Sequence, residues 1–190
     1  MRSAALLIFI SACNAALGSD TGTIQARPDQ AFLQLADAAR FLANYKEMAA
    51  VSVRVSASLE PGDRNPHAAF MAKVAVADLS DMRDCMGRAY ASGPVTQQDA
   101  VQLVRMFTSP LGKKILDIHH RGLMASLDKD AYPPVDWSSI TEEERTETPA
   151  FFEHPAFKRY GALISSRAFD HASTACLVES KIGKATGFKG

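Results

Sequence analysis

The sequence predicts an all-α protein, a helical bundle whose C-terminal half carries two repeated helix-turn-helix hairpins. Three observations carry that reading. Apolar residues recur at three- and four-residue spacing through most of the chain after residue 29, the period of one buried helix face. No run alternates apolar and polar residues over a useful strand length. A hydroxyl stands three positions before an acid at Thr96–Asp99 and Thr141–Glu144, the spacing of a capping box that opens a helix. The 190 residues suit one domain, assigned to 29–183. Residues 19–28 read as a tether and 184–190 as a frayed tail.

The N-terminal segment reads as a secretory signal peptide over residues 1–18. Arg2 supplies an early positive charge, Ala4 to Ala12 an apolar run, and the residues through Gly18 are mostly small. Small residues at Ala16 and Gly18 place one cleavage site before Ser19. Ile10-Ser11-Ala12-Cys13 resembles a bacterial lipobox and offers the alternative, a 1–12 signal followed by a lipidated Cys13. Both outcomes predict an exported chain, periplasmic or secreted in the first case and membrane-anchored in the second. A membrane contact is expected only through that lipid.

Each helix follows from its own pattern. From Asp29 to Leu59 there is no Pro or Gly, and Leu35, Ala39, Leu42, Tyr45, Ala49 and Val53 fall on one face. Alternating Val51, Val53 and Val55 would also suit a short strand, but no partner strand is visible. Glu60-Pro61-Gly62-Asp63 stops this helix. A second helix is expected over 66–90, with Met71, Val74, Leu79, Met82, Met86 and Tyr90 inward, ended by Gly93-Pro94. After the Thr96 cap, Ala100, Leu103, Val104 and Phe107 form an amphipathic stripe. Ser109-Pro110 restarts the chain as a helix, Pro suiting the first turn, with Leu111, Ile115, Ile118 and Met124 inward. Residues 128–140 form a loop. Pro149 is expected to limit the helix after Thr141, and Pro155 to open a last long helix ending near Gly183.

A shift of 45 residues superposes the two capped segments without a gap. Thr96 meets Thr141, Asp99 meets Glu144, Phe107 meets Phe152, Pro110 meets Pro155, Lys113 meets Lys158, and Lys114 meets Arg159. The shared order is cap, short helix, buried aromatic, Pro restart and exposed base. Two copies are too few for a solenoid but suit two hairpins packed on one another.

Val95 to Leu116 (VTQQDAVQLVRMFTSPLGKKIL) resembles the bacterial family called domain of unknown function 2059, through Thr96, Phe107, Ser109, Pro110, Gly112 and Lys114. Thr108 stands where that family often has a further residue. The resemblance implies an exported, all-helical bacterial protein and carries no activity with it.

Composition and motif absences narrow the function. Twenty-one basic residues balance twenty-one acidic ones, which argues against a nucleic-acid partner. No Gly-x-Ser-x-Gly elbow, Gly-x-Gly-x-x-Gly loop or His-Glu-x-x-His spacing occurs. No metal and no cofactor are expected. Ser109 to Lys114 falls short of a phosphate loop, because Phe107 stands where the first glycine would be and no strand precedes it. Its Gly112 instead suits a close approach of two helices. Asp128-Lys129-Asp130 opens like a calcium loop, but Tyr132 and Pro133 break the pattern. His119 and His171 flank apolar positions and read as partly buried structural histidines. Trp137 is expected to pin the aromatic loop to the bundle, and the loop is alternatively a partner-binding patch.

Loss of Cys13 would leave Cys85 and Cys176, an even pair suited to a disulfide in an oxidising compartment. Two buried free thiols are the alternative. Lys113, Lys114, Lys158 and Arg159 stand in first helical turns, where positive charge costs about 0.3–1 kcal/mol against the helix dipole. Their recurrence makes them candidates for binding an acidic partner or envelope polymer. Solvated ends with stems over apolar surface are the alternative. The function expected is that of a non-catalytic exported envelope protein that binds a protein or envelope component. A hydrolase with a dispersed site is the competing class, and a cleft gathering a His, an acid and a hydroxyl would favour it.

Overall fold

Helical periodicity becomes ten-helix connectivity in a computed structural model that describes residues 30–63, 67–129 and 136–189. The signal segment, Cys13 and the tether lie outside the described residues, as do Asp130 and Tyr132 to Val135. In chain order the α-helices are α1 (Gln30–Ala38), α2 (Phe41–Ser58), α3 (Ala68–Val76), α4 (Arg83–Ala91), α5 (Gln97–Thr108), α6 (Pro110–Lys129), α7 (Glu142–Glu153), α8 (Pro155–Ile164), α9 (Arg167–Glu179) and α10 (Lys181–Thr186). The class is all-α, and among the described residues there is no strand. Val51, Val53 and Val55 are helical.

The expected long helices are broken, at Arg40 by a left-handed residue and elsewhere where side chains offer the backbone another partner. The 29–59 helix splits at Arg40, which adopts the left-handed conformation (φ 55°, ψ 30°), a cost of roughly 1–2 kcal/mol for a non-glycine residue. The break lets α1 pack against α4 and α5 while α2 packs against α3 and α6. The 66–90 helix splits at Asp78, whose carboxylate accepts from the Ser80 N–H (2.9 Å) and hydroxyl (3.0 Å). That turn leads into a 3-10 segment at Ser80–Met82. The helix from Pro155 to Gly183 is three helices, restarted where the Ser166 hydroxyl caps Phe169 N–H and the Ser180 hydroxyl caps Gly183 N–H.

Pro149 does not limit α7, which runs through it to Glu153. Pro149 and Arg145 share the exposed face, so the carbonyl that Pro149 leaves without a helical donor meets water. The tail is not frayed over 184–188. Lys184 to Thr186 complete α10, Gly187 ends it at φ 67°, and the Phe188 ring stacks on Phe70 at 4.0 Å. His119 and His171 are exposed rather than partly buried, each lying just off its helix's inward face.

The core is continuous. Leu35, Met82, Met86, Tyr90, Leu103, Phe107 and Leu177 are fully buried within it. Tyr90 stacks on Tyr160 and tilts against Phe169, and Phe41 meets both Tyr90 and Phe169 edge-on. Burial pushes the Tyr160 hydroxyl up to about 12 and that of Tyr90 upward as well. Cys85 of α4 and Cys176 of α9 form a disulfide. It ties the first half of the bundle to its C-terminal helices.

Gly112 meets its sequence-level role. A Cβ there would lie 1.8 Å from the Met106 carbonyl oxygen, so only glycine lets the start of α6 approach the end of α5. The Ser109 hydroxyl caps the junction by accepting from Gly112 N–H at 3.0 Å.

Candidate functional site

Both capping boxes form. Thr96 accepts from Asp99 N–H (3.1 Å) while the Asp99 carboxylate accepts from Thr96 N–H (2.9 Å) and the Thr96 hydroxyl (2.8 Å). Thr141 and Glu144 repeat the exchange at 3.2 and 2.9 Å. These acids then take a second partner from the other segment. Arg159 of α8 donates two hydrogen bonds to Asp99, from Nε at 2.8 Å and from Nη2 at 2.5 Å. Lys114 of α6 donates to Glu144 at 2.6 Å. Asp99 corresponds to Glu144, and Arg159 to Lys114, under the 45-residue shift. Each cap acid therefore holds the base of the opposite segment.

The electrostatics follow this pairing. The Arg159 guanidinium, aided by the Thr96 donors, holds the Asp99 carboxyl well below the usual carboxylate range against the opposing effect of burial. Lys114, then Thr141, lowers Glu144 in the same way. Asp99 is 4% exposed, so its charge is tolerable only because four donor hydrogens reach it.

The four bases do not form one patch of free charge. Lys114 and Arg159 serve as these clasps, and Lys158 pairs with Glu153. Lys113 is exposed, with no ion pair among the described residues. Residues aligned by the 45-residue shift agree in burial in α6 and α8, where Leu111, Ile115 and Ile118 and, at the matching positions, Ala156, Tyr160 and Leu163 are all buried. The agreement is looser elsewhere. Phe107 is buried, but its counterpart Phe152 is only partly so, Phe151 having taken the inner place beside Phe107. The second helices also differ, α6 having twenty residues and α8 ten.

An open groove of about 520 Å³ lies beside the Asp99–Arg159 pair. Thr96, Gln98, Asp99 and Gln102 line one wall from α5 and its cap; His154, Pro155 and Arg159 line the other from the start of α8. It does gather a hydroxyl, an acid and an imidazole. Their hydrogen bonds, however, are those of helix caps. The Thr96 hydroxyl donates to Asp99, and His154 Nδ1 accepts from Ala156 N–H at 3.2 Å. No hydrogen bond joins His154 to Thr96 or Asp99 among the described residues, so no relay leads from hydroxyl to imidazole to acid.

Sequence reasoning missed His120. Its Nε2 contacts Glu47 across the α2–α6 seam at 2.5 Å, beside a second link between Arg40 and Asp117 at 2.5 Å. The signal was available, since His120 follows Leu116 by four and so shares its partly buried helix face. Trp137 meets Phe152 edge-on but stays 37% exposed, so it only partly pins its loop. Among the described residues, no cluster of three or more His, Cys, Asp or Glu could hold a metal ion. In the same residues no helix is long and apolar enough to cross a membrane.

Comparison with models of protein families, with curated proteins and with solved structures finds no match for this chain. The helical class and the groove geometry therefore rest on the chain's own residues.

Proposed function

We propose that this chain is an exported, non-catalytic envelope protein that works by binding a protein or envelope component. Export is supported by the order of charge, short apolar run and small residues from Met1 to Gly18. The Cys85–Cys176 disulfide adds to it, because structural disulfides persist in oxidising compartments. The resemblance to domain of unknown function 2059 agrees with both. A non-catalytic role is carried by one observation: the hydroxyl, acid and imidazole of the groove are each engaged in helix capping or in the Arg159 clasp. A general base must be open to a proton of the substrate, and Asp99 is buried with both oxygens held by Thr96 and Arg159. Binding asks less of these groups, since the groove still offers outward donors on a rigid pair of helices.

The test is fractionation of the producing cell followed by affinity capture from intact envelopes, with Gln98→Ala/Gln102→Ala beside the wild type. The reading expects the chain in the envelope fraction and a captured component that the variant loses. A chain confined to the cytosol, or one that turns over ester or amide substrates, overturns it.

A further inference from the structure

We propose that the groove between α5 and α8 binds the end of an extended peptide that carries a free C-terminal carboxylate. The inference rests on the binding role above and names the chemistry of its ligand.

The groove is a donor-rich surface. Arg159 commits Nε and one Nη2 hydrogen to Asp99. Both Nη1 hydrogens remain, on a side chain 43% exposed. His154 accepts from Ala156 N–H through Nδ1, so the proton of its neutral ring sits on Nε2 and makes that nitrogen a donor. The acid on this surface is 4% exposed and its oxygens already accept from Thr96 and Arg159, so it presents little acceptor to a ligand. A ligand that meets Arg159 and His154 must therefore bring acceptors.

A carboxylate suits this site better than a dianion. The guanidinium charge is half-spent on Asp99, and a doubly charged phosphate would face that buried carboxylate nearby. A single negative charge with two coplanar oxygens matches the remaining guanidinium edge.

The two glutamines extend the site beyond a single charge. Gln98 and Gln102 are four residues apart on α5 and both line the groove, which places them about 6 Å apart on one helix face. An extended peptide repeats the same side every two residues, about 6.6 Å. Each amide carries both a donor and an acceptor, so each can meet one backbone carbonyl or N–H along the strand. Carboxylate at the α8 end and backbone along α5 give the ligand a direction. Capture of a peptide terminus by backbone and side-chain donors is an established recognition mode.

Such a peptide end could belong to a protein or to an envelope polymer with D-residues. The test is an NMR titration of the protein recovered from the envelope, with its disulfide intact. The probes are N-acetyl-Ala-Ala-Ala with a free carboxylate, the same peptide amidated, and a form ending in two D-alanines. The proposal expects the side-chain amides of Gln98 and Gln102 and the Arg159 Nε–H to shift with one of the free acids. The amidated peptide should bind at least about tenfold more weakly. Gln102→Ala should weaken the free acid without changing the fold seen in the remaining resonances. His154→Asn, which keeps a capping acceptor, should do likewise. Preference for the L- or D-terminated probe assigns the source, and binding of either supports the site. Equal binding of acid and amide, or shifts only elsewhere on the molecule, overturns it. If no probe binds while envelope capture remains sensitive to Gln98→Ala/Gln102→Ala, the peptide assignment is wrong and the binding role stands. If capture fails as well, the binding role itself falls.

Discussion

Truncation of Asp99 to alanine is expected to destabilise the fold by about 2–3 kcal/mol at neutral pH. Two losses add. The capping box loses its acid, an effect of about 1 kcal/mol for cap residues. The charge-assisted bonds from Arg159 are lost too, worth about 1.5–3 kcal/mol when a charged group accepts. The lower part of that range applies, because Arg159 is 43% exposed and regains water once freed. No cavity adds to the cost, since Asp99 borders the groove. The pH dependence has a definite sign. The folded-state pKa of Asp99 is depressed, by Arg159 first and Thr96 next. Its stabilisation is therefore complete above the unfolded value of about 3.9 and is lost as pH falls through the folded one. Urea denaturation of both proteins should show a constant stability gap from about pH 5 to 8 that closes below about pH 4. In the Asp99→Ala background, Arg159→Ala should add little. A gap below about 0.5 kcal/mol, or one that widens on acidification, would refute the clasp.

Other expectations follow from single features. Gly112→Ala places a Cβ 1.8 Å from the Met106 carbonyl oxygen and should cost about 3 kcal/mol by forcing α5 and α6 apart, read as a lower urea midpoint. Replacing both Cys85 and Cys176 by alanine opens a loop spanning a sequence separation of 91. The loss should approach about 4–5 kcal/mol in the chain-entropy description, and reductant should then no longer affect the variant's melting. Lys114→Glu sets a second carboxylate against Glu144 and should lower the melting temperature, whereas Lys113→Glu on the free surface should leave it unchanged.

Faces were legible from the sequence and breaks were not. Leu35, Met82, Met86, Tyr90, Leu103, Phe107 and Ile115 are inward as their spacing requires, because burial of a helix stripe is a periodic constraint that survives any later turn. The break at Arg40 carries no Gly or Pro, and its reason is tertiary: α1 and α2 pack on different neighbours. The turn at Asp78 had a local signal, Asp two before Ser, that helical periodicity on both sides concealed. The disulfide was legible once Cys13 was set aside with the N-terminal segment, though not over the free-thiol alternative. At the candidate site, the 45-residue shift paired Asp99 with Glu144 and Lys114 with Arg159 but could not show that the pairs cross. A base in a first helical turn looks unfavourable in isolation, and its partner lies 30 or 60 residues away. That long-range partner is why the bases read as a binding patch.

The central claim, an exported binding protein, is tested most directly by the intact mass of the native chain purified from its own cell. The account predicts an envelope-fraction species that begins at Ser19 or at a lipidated Cys13 and is lighter by two hydrogens for the Cys85–Cys176 bridge. A species in the cytosol that retains Met1 and carries free thiols at Cys85 and Cys176 would contradict it.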